Sequence, residues 1–208
     1  MTAKIISGTE VAAEIRQELK GRVKKITDKG ITPALAVVLV GEDPASISYV
    51  TAKAKGAEEI GMHEETIRLP ADTPEKNVLD TVEKLNKDPK FHGILVQLPL
   101  PKHINTEKVI SFISAEKDVD GFHPVNVGKA LRGEPCPLPC TPHGVQELLI
   151  RSGNSPEGKH VVICGRSNLV GKPLAAILMQ KKKGANATVT ICHTGTKDIG
   201  YFPGRLIL

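Results

Sequence analysis

Apolar positions recur every three or four residues from about Thr9 to Lys29, at Val11, Ile15, Leu19, Val23 and Ile26, and Gly30 follows as a stop. That period predicts an amphipathic helix. The next apolar run, Ala34 to Val40, has no polar position and is rich in β-branched residues. It reads as a strand buried on both faces, as in a parallel sheet. Gly41-Glu42-Asp43-Pro44 turns the chain into a second helix, about Ser46 to Ile60, closed by Gly61. Met62 to Leu69 predicts a strand, and Pro74 to Leu85 a helix with proline at its first turn. Gly93 to Leu98 is another buried strand, ended by Pro99.

Beyond it, the stretch 114–142 is dense in Gly and Pro and reads as a long functional loop. His143 to Ile150 predicts a helix, 153–158 a polar break, and His160 to Cys164 a strand. Lys172 to Gln180 then reads as a helix and Ala187 to Cys192 as a strand. Alternating strands and helices predict crossover units with right-handed connections. The expected class is α/β: an N-terminal parallel-sheet domain over 1–142, then the first part of an NAD(P)-binding Rossmann domain over 143–208. The change of domain is placed between Thr141 and Gly158.

Composition narrows the function classes. Apolar residues make up 40% and charged residues 25%, an ordinary globular balance. No apolar run approaches the roughly 20 residues of a membrane span. Residues Met1 to Gly8 carry no apolar leader core, and four cysteines follow no regular spacing. A cytoplasmic protein with free thiols is therefore expected. The net charge of +5 comes with only two Tyr, four Phe and no Trp. Nucleic-acid binders combine clustered charge with stacking aromatics, so this excess suits small anionic ligands better. The tight basic run Lys181 to Lys183 follows a helix, where cations offset the macrodipole.

One loop carries nucleotide chemistry. Gly165-Arg166-Ser167-Asn168-Leu169-Val170-Gly171-Lys172-Pro173 joins a strand to a helix. A glycine can turn the chain sharply off a strand, and the helix N-terminus offers unpaired N–H groups to phosphate. The spacing departs from Gly-x-Gly-x-x-Gly, so an ordinary strand-to-helix turn stays open. A Walker A loop is rejected: five residues separate the glycines, and Pro173 stands where Ser or Thr would bind magnesium. The next strand ends in His193-Thr194-Gly195-Thr196-Lys197, with no carboxylate until Asp198. NAD sites usually place an acid there, so NADP is the expected cofactor, with Arg166 available to its 2′-phosphate.

In the first domain, Tyr49 and Lys53 are four residues apart on one predicted helical face, just after a buried strand. Ligands bind at the carboxyl ends of parallel strands, and a desolvated lysine there can act as acid or base. A solvated face is the competing reading. Gln97 stands in an otherwise apolar run, so its amide needs partners from a ligand or from backbone. Asp118 and Asp120 lie in the long loop, as turn caps or as ligands. Cys136, Cys140 and His143 lack a fourth zinc ligand at any familiar spacing.

Together these segments resemble the bifunctional methylenetetrahydrofolate dehydrogenase/methenyltetrahydrofolate cyclohydrolase family (the FolD family). The resemblance rests on Ser46-x-x-Tyr49-x-x-x-Lys53, Gly93 to Pro101, Lys117 to Phe122, Pro139-Cys140-Thr141-Pro142-x-Gly144 and Gly165 to Pro173, in family order. It implies NADP-dependent oxidation of 5,10-methylenetetrahydrofolate, then hydrolysis to 10-formyltetrahydrofolate, in one-carbon metabolism serving purine biosynthesis. It implies Lys53 as the central catalytic residue, Tyr49 and Gln97 positioning folate and lysine, and Asp120 anchoring the pterin. Gly165, Arg166, Ser167 and Thr194 would hold NADP, no metal is needed, and a homodimer is expected. A dehydrogenase without hydrolytic activity and a non-catalytic ligand-binding remnant are the alternatives. The resemblance also implies more Rossmann strands and a closing helix. The sequence ends at Leu208 without them, as expected of a piece of a longer protein or a shortened product.

Overall fold

The computed structural model describes residues 5–201. They form two compact units, one of residues 9–119 and one of residues 120–201 together with 5–8. The first unit opens with α1 (Gly8–Thr27) and β1 (Ala34–Val40), followed by α2 (Pro44–Ile60) and β2 (His63–Leu69). It closes with α3 (Glu75–Lys87), β3 (Gly93–Val96) and α4 (Thr106–Phe112). The three strands are parallel in the order β2-β1-β3. Because β1 is central, both of its faces are covered. Ala34, Ala36, Val38 and Val40 pack with Val78, Val82 and Leu85 of α3 and with Val109 of α4. Val37 and Leu39 pack with Val50 and Ile47 of α2 on the other side. This is why the run from Ala34 to Val40 has no polar position.

Helix α2 begins cleanly. Pro44 occupies its first turn, and the Asp43 carboxylate accepts the Ser46 N–H at 2.7 Å. That backbone bond holds the Asp43 carboxyl below the usual carboxylate range, as the charged form is the better acceptor. Gly61, at φ +84°, ends the helix in the left-handed region. Helix α4, in a stretch the periodicity left unassigned, starts where the Asn105 side chain accepts the Lys108 N–H.

The second unit holds α5 (Pro124–Arg132), α6 (Cys140–Arg151), β4 (His160–Cys164), α7 (Gly171–Leu178) and β5 (Thr188–Cys192), then a short 3-10 turn at Ile199–Tyr201. Strands β4 and β5 pair in parallel, His160 opposite Thr188 and Cys164 opposite Cys192. Leu174, Ala175 and Leu178 of α7 cover Ile163. Two buried amides tie the unit's polar backbone: Gln146 donates to the Gly184 carbonyl and Gln180 to the Ala130 carbonyl. Burial raises the Cys192 thiol above its ordinary range, with a smaller contribution from Cys164.

Two expectations are corrected. The stretch 114–142 is not one loop, since it contains α5 and the start of α6. Pro124 sits in the first turn of α5 and Gly133, at φ +73°, closes it. Residues read as loop formers therefore work as helix punctuation. The strand expected over Gly93 to Leu98 stops at Val96. One further bond, from Gln97 N–H to the Val38 carbonyl, ends the pairing with β1. Among the described residues, no helix is long and apolar enough to cross a membrane.

Candidate active site

In the first unit the sheet order reverses at β1. The chain leaves β1 through α2 to β2 on one side, then returns through α3 to β3 on the other. Between the carboxyl ends of β1 and β3 lies the crevice where open α/β sheets bind ligands. Gln97 follows β3 at that place and is only 8% exposed. Its backbone is held by Val38, and its Nε2 donates to the Leu98 carbonyl at 2.6 Å. The amide oxygen therefore has a fixed direction, and it accepts from Lys53 Nζ at 3.0 Å. A residue of α2 and one after β3, 44 positions apart, are thus joined over the sheet's end. Tyr49, one turn before Lys53, is 62% exposed.

Asp118 and Asp120 separate in role. Asp118 is buried in the first unit, in a bridge beside Ile94. Gly93 permits this approach, because a Cβ there would collide with Val119. Asp120 opens the second unit, half-buried, with the Cys140 thiol donating to its Oδ1 at 3.8 Å. Gly121, at φ +66°, holds the turn after it against the Pro137 carbonyl, 2.6 Å from where a Cβ would stand. Sequence reasoning passed over Cys140 as a partner of Asp120. No disulfide joins the four cysteines, and among the described residues no cluster of three or more His, Cys, Asp or Glu could hold a metal ion.

The glycine loop is organised from within. Gly165 has φ +143°. A Cβ on Gly171 would fall onto the Gly165 carbonyl, so strand end and helix start approach as only glycine allows. Ser167 Oγ accepts from Val170 N at 3.0 Å and from Gly171 N at 3.5 Å, and its carbonyl accepts from Lys172 N. Arg166 is exposed beside the end of β5, with Nη1 at 3.1 Å from His193 Nε2. His193 and Thr196 close a turn through His193 N–H to Thr196 Oγ1 and Thr196 N–H to the His193 carbonyl, and Thr194 is exposed within it. Two strands, a helix whose N-terminus faces a glycine turn, and cationic donors without a carboxylate fit a nucleotide bearing a 2′-phosphate.

A parallel-sheet unit with a lysine–amide pair at its switch point, followed by a Rossmann-type nucleotide unit, defines a nicotinamide-dependent α/β enzyme. The comparisons then fix the family. Residues 6–120 match the tetrahydrofolate dehydrogenase/cyclohydrolase catalytic domain, and residues 139–203 match the NAD(P)-binding domain of the same family. The bifunctional protein FolD of Dehalococcoides mccartyi (strain CBDB1) is 60% identical over 200 residues, covering 96% of this chain and 68% of that protein. The crystal structure of the bifunctional FolD dehydrogenase/cyclohydrolase from Campylobacter jejuni superposes with a TM-score of 0.90 at 44% identity, over 96% of this chain and 70% of that one. The Trypanosoma brucei enzyme, solved with NADP cofactor and an inhibitor, gives 0.86 at 37% identity, over 94% and 66%. The chain belongs to the tetrahydrofolate dehydrogenase/cyclohydrolase family.

Proposed function

We propose that the chain oxidises 5,10-methylenetetrahydrofolate with NADP and hydrolyses the methenyl product to 10-formyltetrahydrofolate, with Lys53 as the residue that moves protons. The observation that carries the assignment of Lys53 is its hydrogen bond to Gln97 at the carboxyl ends of β1 and β3. NADP, when bound, accepts the hydride from the methylene carbon. In hydrolysis, water adds to the methenyl carbon and loses a proton, the bond from that carbon to N5 breaks, and N5 gains a proton. Lys53 handles these transfers while Gln97 Oε1 fixes where its amine sits. Tyr49, on the same face of α2, packs against and positions the folate. Asp120 accepts from the pterin N–H donors, to which a carboxylate is the matching partner. Gly165, Arg166, Ser167 and Thr194 make up the NADP site. A cytoplasmic homodimer serving purine biosynthesis completes the proposal.

The primary test supplies the purified protein with methylenetetrahydrofolate and NADP, and follows NADPH and methenyltetrahydrofolate by absorbance. NADPH formation followed by decay of methenyltetrahydrofolate, faster than its spontaneous hydrolysis, is expected. NADPH formation without that decay would favour a dehydrogenase alone.

Two substitutions separate the subsites. Arg166→Ala is expected to weaken NADP by roughly 10- to 100-fold, the worth of one charge-assisted contact of about 1.5–3 kcal/mol, and to spare NAD. Equal loss of both cofactors in calorimetry would remove Arg166 from the 2′-phosphate. Asp120→Asn keeps the shape but turns one acceptor oxygen into a donor. It should weaken folate binding by at least about tenfold, near 1.4 kcal/mol, and leave NADP affinity within about twofold. Unchanged folate affinity would return Asp120 to its own turn.

A further inference from the structure

Strands β4 and β5 end on a matched pair of thiols. Cys164 and Cys192 are the last residues of their strands and stand opposite one another in the parallel register. In-register residues of neighbouring strands share a face of the sheet and lie about 4.7–4.9 Å apart. That separation falls inside the range of about 4.4–6.8 Å that a disulfide spans between Cα atoms. Side chains of this face do meet across the two strands, since His160 Nε2 lies 2.9 Å from Thr190 Oγ1. The opposite face carries Ile163, which α7 covers. Cys164 is exposed and Cys192 fully buried, and neither is joined in a disulfide. Burial raises the Cys192 thiol and Cys164 adds to the rise, so the two groups also interact electrostatically. Neither thiol has a place in the folate or NADP chemistry above.

We propose that Cys164 and Cys192 form a reversible oxidation site, closed by small disulfides, and that the bridge between them weakens nucleotide binding at the adjoining glycine loop. Exposed Cys164 reacts first: its thiolate attacks one sulfur of a small disulfide such as oxidised glutathione, forming a mixed disulfide and releasing one small thiol. Cys192 then gives up its proton and attacks the Cys164 sulfur, expelling the second small thiol. Two protein thiols and one small disulfide thus become one protein disulfide and two small thiols, and electrons and protons balance. Cβ atoms set at the strand spacing must be drawn in, because a relaxed disulfide holds them about 3.5–4.5 Å apart. The bridge is therefore strained and readily reduced, which suits a reversible site better than a structural staple. The pull passes straight to the loop. Gly165, the residue after Cys164, sits at φ +143° and donates its N–H to the Cys192 carbonyl at 2.8 Å. The Gly165 carbonyl leaves no room for even a Cβ on Gly171. A shift of Cys164 therefore displaces the loop and the start of α7 together. The effect on nucleotide rests on the NADP reading above; the bond itself does not.

The experiment treats the purified protein with oxidised glutathione, blocks the remaining thiols, digests with trypsin and maps the peptides by mass spectrometry. Trypsin places Cys164 in the peptide His160–Arg166 and Cys192 in Gly184–Lys197. The disulfide-linked pair of these peptides is expected to be the main species carrying Cys164, and to disappear with dithiothreitol. NADP affinity in calorimetry should fall by at least about tenfold on oxidation, the loss of one charge-assisted contact to phosphate, and recover on reduction. Cys164→Ser, a change at an exposed position, should bind NADP within about twofold of the wild type and lose the response to oxidant. Should Cys164 end only as its glutathione adduct, with Cys192 still a thiol, the bridge is overturned. A bridged protein with unchanged NADP affinity overturns the effect on the loop. So does an equal oxidative loss in Cys164→Ser, which would place the sensitive thiol at Cys136 or Cys140. Absence of NADP binding by the reduced wild type would instead remove the cofactor reading, and with it the effect on the loop, while the peptide map still decides the bond.

Discussion

Replacing Lys53 with methionine is expected to slow hydrolysis of methenyltetrahydrofolate by roughly 100- to 10,000-fold, the usual contribution of a positioned acid or base. Methionine keeps most of the side chain's length and apolar stem, so α2 should stay folded. What disappears is the amine that Gln97 Oε1 holds at 3.0 Å. Hydride transfer needs the folate and the nicotinamide aligned, and alignment draws on several contacts rather than on one proton. Oxidation of methylenetetrahydrofolate should therefore fall by less than about tenfold, near 1.4 kcal/mol. The two rates should separate in one assay: methenyltetrahydrofolate absorbance rises in the variant and stays, whereas in the wild type it rises and decays. Hydrolysis by the variant at close to the normal rate would reduce Lys53 to a charge on a solvated helix face. Gln97→Ala should move in the same direction by a smaller factor, because the amine is then present but undirected.

How far this site is legible in the sequence depends on what each residue answers to. The run from Ala34 to Val40 announces a central strand because both of its faces are buried, and burial leaves a direct mark on composition. Lys53 and Tyr49 announce a shared face because helical spacing is local. The bond from Lys53 to Gln97 has no such mark. It spans 44 positions and exists only because the order β2-β1-β3 sets the end of β3 beside α2. Helix α5 was hidden for a different reason. Pro124 and Gly133 suit a loop as well as they suit the first turn and the close of a helix, and burial of Asn126 and Ala130 decides between them. His193 was visible as a residue after a strand, but not as a neighbour of Arg166, 27 positions earlier.

Gly171→Ala is expected to destabilise the second unit and to weaken its nucleotide site. The added Cβ would land on the Gly165 carbonyl oxygen, 2.6 Å from the Gly165 carbonyl carbon and 3.0 Å from the Arg166 nitrogen. All of these are backbone atoms, so no rotamer change can relieve the contact, and either the loop or the start of α7 must move. Alanine favours a helix over glycine by roughly 0.5–1 kcal/mol, but overpacking a buried site costs about 1–3 kcal/mol. The strain should win, lowering stability by up to about 2 kcal/mol in denaturant unfolding. The larger effect falls on the cofactor. Ser167 Oγ accepts from the N–H groups of Val170 and Gly171, so displacing that turn re-aims the helix N-terminus meant for the phosphates. Two lost charge-assisted hydrogen bonds of about 1.5–3 kcal/mol each would weaken NADP by more than about 100-fold. Gly128→Ala, in α5 with nothing within 4 Å of the new Cβ, is the matched control and should be neutral or slightly stabilising. Normal NADP affinity in Gly171→Ala, measured beside that control, would show that the cradle does not depend on the close approach of Gly165 and Gly171.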